Sequence, residues 1–106
     1  MYSVILVTAP NKKEAKNIAT ALVESRLAAC VNIVAAVESV FRWQGKVDRA
    51  AEILLIIKSQ RKKLPRIIRM IKSLHSYKVP EIIALPIIAG EKNYLKWIDE
   101  CLSDSP

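Results

Sequence analysis

From Cys30 to Trp43 the sequence alternates with the two-residue period of a β-strand. Val37, Ser39, Phe41 and Trp43 take one side; Glu38, Val40, Arg42 and Gln44 take the other. Gly45-Lys46 supplies a turn, and Ile53 to Ile57 leads a second strand back. In a chain of 106 residues this antiparallel hairpin is too long to be covered by its own domain. A long uncovered hairpin invites uncontrolled pairing unless a specific partner occupies it. Composition points the same way. Apolar residues make up 52% of the chain, whereas a domain this small removes only about two-thirds of its unfolded surface from water. The surplus is expected to lie between subunits, with Phe41, Trp43 and Gly45 marking the hairpin that makes the oligomer.

The flanking segments fit around this hairpin as regular elements. Tyr2 to Thr8 is β-rich and nearly all apolar, and Ala9-Pro10 ends it. Asn11, with Glu14 three residues later, opens a helix with Ala15, Ile18, Ala19, Leu22 and Val23 on its buried face. A second helix is predicted over 61–74, with Pro65 in or near its first turn and an apolar stripe of Leu64, Ile67, Ile68, Ile71 and Leu74. Lys62, Arg66, Arg69 and Lys72 occupy its opposite side. A final strand is expected over Glu81 to Ile88, with Pro86 placing part of it at an edge or bulge. Tyr94, Leu95, Ile98, Cys101 and Leu102 give the buried face of a terminal helix. The order is βαββαβ plus a helix, so the expected class is α+β: a ferredoxin-like sandwich forming one domain over residues 1–106. Its antiparallel sheet should carry both long helices on one face and offer the other to a partner.

Several function classes find little support in this sequence. No apolar run approaches the roughly 18 residues of a membrane span, and no basic segment precedes Val4-Ile5-Leu6-Val7, which argues against a signal peptide. Cys30 and Cys101 are the only cysteines and form no C-x-x-C pair, as suits a reducing cytoplasm. The net charge of +7 is compatible with nucleic acid, anionic metabolites or acidic partners. Aromatic residues are only 6% of the chain, however, and the aromatic strand signature of RNA-binding domains with this topology is absent. Nucleic acid is therefore not the expected partner. No nucleophile–base arrangement, catalytic carboxylate pair or phosphate loop is visible, so the chain does not read as an enzyme.

A wider pattern joins these elements. Leu27-Ala28-Ala29-Cys30-Val31-Asn32, Trp43-x-Gly45-Lys46, Glu52, Lys58, His75-x-Tyr77-x-Val79-Pro80-Glu81-Ile82-Ile83-Ala84-Leu85-Pro86 and Tyr94-Leu95-x-Trp97 follow in order from about residue 4 to residue 98. In these motifs the chain resembles the CutA divalent-cation tolerance family. The resemblance implies a homotrimer whose hairpins pair across subunits, with an architecture like that of PII signalling proteins. It also implies a role in tolerance of divalent metals, copper especially. Family members usually carry Pro after the histidine, where this chain has Ser76, and an acidic or neutral residue where it has Lys78. A cysteine near the end of the first strand and a second histidine, present in some members, correspond to Val7 and Leu74.

Two kinds of site follow as expectations. Imidazole suits copper and thiolate suits Cu(I), which makes His75 and Cys30 the metal-ligand candidates. Their structural alternatives are a helix cap for His75 and core packing for Cys30. No cofactor is required; copper or another divalent cation is the candidate ion. Trp43, Glu52, Lys58, Tyr77 and Glu81 are instead the polar and aromatic candidates for a cleft between subunits. There they either bind a small ligand, an anionic one included, as in a PII-like signalling module, or form ion pairs that set subunit register.

Overall fold

The computed structural model describes residues 1–103. Its elements are β1 (Tyr2–Ala9), α1 (Lys12–Glu24), β2 (Cys30–Trp43), β3 (Lys46–Gln60), α2 (Leu64–Leu74), β4 (Ile82–Pro86) and α3 (Lys92–Leu102). The four strands form one antiparallel sheet in the order β2-β3-β1-β4. This is the ferredoxin-like arrangement expected from the sequence.

Alternation along the strands divides the sheet into two faces. Ile5, Val7 and Ala9 of β1 and Ile53, Leu55 and Ile57 of β3 point to one face. There they meet Ala15, Ile18 and Leu22 of α1 and Ile67 and Ile71 of α2 to form the main core. The start of α1 is fixed by Asn11, whose side-chain oxygen accepts the Glu14 N–H at 2.9 Å. Val23, expected on the buried face, is 43% exposed. It lies about 80° around the helix from Ala15 and falls outside the stripe that reaches the sheet. Leu74 is likewise exposed, because the buried position at the end of α2 belongs to His75. A 3-10 turn over Arg61–Lys63 precedes α2, and Pro65 lies in the helix's first turn. The four cations on the outer side of this region are exposed as expected.

Val4 and Leu6 of β1, Leu54 and Ile56 of β3, and Ile83 and Leu85 of β4 lie on the opposite face. Ile83 and Leu85 remain 52% and 47% exposed. At one end of this face α3 packs Ile98 and Leu102 against Ala29 and Tyr2. Asp99 ties it down by accepting from the Tyr2 hydroxyl (2.7 Å) and the Gln60 amide (2.6 Å). Lys63 Nζ and Arg26 Nη1 donate to the carbonyls of Leu102 and Cys101, placing cations at the negative end of the helix. Tyr94, expected on the buried face of α3, is 43% exposed.

β3 runs the full length of the returning arm and is much longer than its apolar segment Ile53–Ile57. The turn falls on Gln44 and Gly45, one residue earlier than the expected Gly45-Lys46, because Lys46 already pairs with Trp43. Their φ values of +50° and +80° are the left-handed pair a tight hairpin turn requires. A bulge between Val34 and Val37, with Ala36 at φ +65°, bends β2 where the hairpin leaves the body. β4 is shorter than the expected 81–88 segment and pairs only with β1. Pro86 sits at its end, where a missing N–H costs least.

Candidate ligand cavity and buried histidine

The segment after α2 organises the candidate site. His75 is buried, and its backbone N–H closes the helix on Ile71 O at 2.8 Å. Its Nε2 lies 2.7 Å from Thr8 O, which can only accept, so Nε2 carries the proton. Nδ1 then accepts the Tyr77 N–H at 3.0 Å. Glu14 approaches Nδ1 at 3.3 Å and also accepts from the Ser76 N–H and hydroxyl at 3.0 and 3.1 Å. Both ring nitrogens are thus engaged: the histidine joins β1 to the turn, and Glu14 ties α1 to it through Ser76. Ser76, the departure from the usual proline, contributes the N–H that proline lacks.

Tyr77 is aimed by that turn. Its ring lies 4.8 Å from the His75 ring, and its hydroxyl donates to Glu52 Oε2 at 3.0 Å. Burial, followed by the bond to Glu52, pushes the phenol's pKa up. Glu52 lies on β3 opposite Val37 and is only 7% exposed. Beside this pair is a cavity of about 670 Å³, bounded by the hairpin and residues 77–81. Phe41 and Trp43 line it from β2, Asp48 and Glu52 from β3, and Tyr77, Lys78, Val79 and Glu81 from the connection to β4.

Four of the five cleft candidates, Trp43, Glu52, Tyr77 and Glu81, therefore meet around one cavity within a single chain. Lys58 does not. It sits opposite Cys30 at the far end of β3, with Nζ 3.9 Å from Cys30 Sγ. Burial and the nearby Cys30 raise the Tyr94 hydroxyl, while burial and then Glu100 raise the Cys101 thiol. Cys30 flanks Lys58, which pairs with Val4, whereas His75 bonds Thr8, four residues further along β1. The two metal-ligand candidates are thus separated by roughly 13 Å of strand and do not converge within one chain. Among the described residues no three His, Cys, Asp or Glu side chains gather as a metal cluster. Asp48 and Thr8 were not anticipated at the cavity, and Glu14 was read only as part of a helix start. The signal for Asp48 was its position four residues before Glu52 on the same strand face.

A ferredoxin-like α+β protein with a projecting hairpin and a carboxylate- and aromatic-lined cavity is the class defined by this geometry. The chain belongs to the CutA1 divalent ion tolerance protein family, which matches residues 3–101. It is 49% identical to the divalent-cation tolerance protein CutA of Thermus thermophilus over 94% of this chain and 97% of that protein. The human protein CutA is 44% identical over 97% of this chain, which spans only 59% of the human length. A solved structure of the divalent cation tolerance protein Cut A1 from Thermus thermophilus superposes with a TM-score of 0.95, covering 97% of this chain and all of that one at 48% identity. The periplasmic divalent cation tolerance protein CutA from Archaeoglobus fulgidus gives 0.94, with 43% identity, over 97% of this chain and all of its own.

Proposed function

We propose that this chain serves in the response to divalent metal ions, copper especially, as a non-enzymatic homotrimer of single-domain subunits in the reducing cytoplasm. The observation that carries the metal role is family membership over residues 3–101. The trimer is supported by the apolar outer sheet face and the exposed hairpin, where Val40, Trp43 and Val47 stand in water in the single chain. Direct metal binding is weak in this reading. His75 reaches a metal only by giving up the Thr8 or Tyr77 hydrogen bond, and Cys30 offers one thiol beside a lysine. Titration with Cu(I) under reducing conditions and Cu(II) in air tests it, using wild type, Cys30→Ser and His75→Ala. Loss of Cu(I) binding in Cys30→Ser is the expected result. Unchanged affinity and stoichiometry in both variants would remove these two residues as ligands.

A second reading is favoured by the cavity. A PII-like trimeric interaction module would bind a small ligand there, with Trp43, Glu52, Tyr77 and Glu81 as its contacts and metal tolerance as an indirect effect.

A further inference from the structure

The cavity beside the hairpin has a charge opposite to that of the whole protein. The chain carries +7, yet Asp48, Glu52 and Glu81 line the cavity against the single cation Lys78. Glu52 is the telling member. It is more than nine-tenths buried, and its one hydrogen bond among the described residues comes from the neutral Tyr77 hydroxyl. Among the described residues no lysine or arginine pairs with it. A carboxylate withdrawn from water without a counter-charge is costly, and the deficit is relieved by a cation brought from outside. Trp43 and Phe41 wall the same space, and aromatic faces attract cations while covering apolar surface. The volume of about 670 Å³ suits a small organic molecule.

We infer that this cavity binds an organic monocation, an ammonium group on an aryl-sized apolar body. The ammonium sits at Glu52 and the body lies against Trp43 and Phe41. This rests on reading the cavity as a small-ligand site and adds the sign and shape of the ligand. A hard divalent ion such as magnesium is the poorer occupant. It requires about six oxygen ligands, whereas the carboxylates here do not converge as a metal cluster and half of the remaining wall is apolar.

The test is calorimetric titration of the assembled protein at neutral pH with phenethylammonium, with phenylacetate as the matched anion, and with magnesium chloride. Phenethylammonium is expected to bind one per chain and phenylacetate at least about tenfold more weakly. Glu52→Gln keeps an acceptor for Tyr77 but removes the charge, and should weaken ammonium binding about tenfold, the scale of one buried charged hydrogen bond. Glu81→Gln, at an exposed position, should weaken it several-fold without touching the core, so the result does not hang on the folding of one variant. Equal or tighter binding of phenylacetate overturns the cationic assignment while leaving the small-ligand site intact. No binding of either aryl probe at millimolar concentration overturns the site itself. Magnesium binding that is tighter than ammonium and lost in Glu52→Gln would overturn the organic ligand in favour of an inorganic one. A crystal structure of the oligomer with a neighbouring subunit's lysine or arginine on Glu52 would also overturn the proposal.

Discussion

Tyr77 and Glu52 form a small polar unit in which each residue makes the other tolerable at its depth. Among the described residues the phenol supplies the carboxylate's only hydrogen bond, and the carboxylate in turn holds the phenol's proton. Replacing Tyr77 with Phe leaves the buried carboxylate without a donor. Such a loss costs about 1–3 kcal/mol, and chemical denaturation of the variant should show a midpoint lowered accordingly with an unchanged slope. The pH dependence has a defined sign. Burial first, and Glu52 second, raises the folded-state pKa of Tyr77 above its ordinary value of 10.0. The folded protein therefore holds this proton more tightly than the unfolded chain does. That contribution is fully present below the unfolded value and is lost as pH rises through the folded one. Tyr2, raised mainly by its hydrogen bond to Asp99, and Tyr94, raised mainly by burial, act in the same direction. Stability measured from pH 9 to 12 should fall for wild type and fall less steeply for Tyr77→Phe. Equal slopes would show that Tyr77 is not coupled to folding.

Element boundaries depend on a few local devices that can be removed singly. Gly45 has φ +80° with open space where a Cβ would stand, so Gly45→Ala tests backbone conformation alone. The cost should be about 1–2 kcal/mol, the penalty of a left-handed non-glycine residue, read as a lower melting temperature with no change of fold by circular dichroism. Asn11→Ala removes the cap of α1 and should cost about 1 kcal/mol by denaturant titration. Both devices were legible in the sequence because they are local: a turn glycine between alternating strands, and Asn-x-x-Glu before a helical stripe. The βαββαβ order was legible for the same reason. What local pattern could not supply was position along a strand. Glu52 and Lys58 share a sheet face by parity, yet six residues of strand separate them by roughly 20 Å, so only one reaches the cavity. Residues 75–81 have no periodicity to read. Their path is set by His75 bridging Thr8 and Tyr77 and by Glu14 holding Ser76, contacts between residues more than sixty positions apart as well as near neighbours.

At the scale of the molecule the unresolved demand is apolar surface. The body spans 47 Å along its longest axis, a length produced by a hairpin whose distal half is exposed on both sides. The outer sheet face adds Ile83 and Leu85 on β4 beside Leu6 and Val4. Burying a side chain of this kind is worth about 1.5–3 kcal/mol, so a few such residues per subunit offset much of the entropy lost on association. Leu85 is the sharpest probe because it is 47% exposed in the single chain and contributes little to the main core. Leu85→Glu should leave the subunit folded while placing a charge in the interface. A buried unpaired charge is penalised by several kcal/mol, enough to shift assembly by orders of magnitude in concentration. Light scattering at micromolar concentration should give wild type a mass three times the 11.9 kDa of one chain, and the variant a mass near that of one chain. Melting temperature should rise with concentration for wild type and not for the variant, since only linked assembly makes stability depend on concentration. A wild-type mass near 11.9 kDa would refute the trimer. A Leu85→Glu protein that remains trimeric would move the interface off this sheet face and onto the hairpin alone.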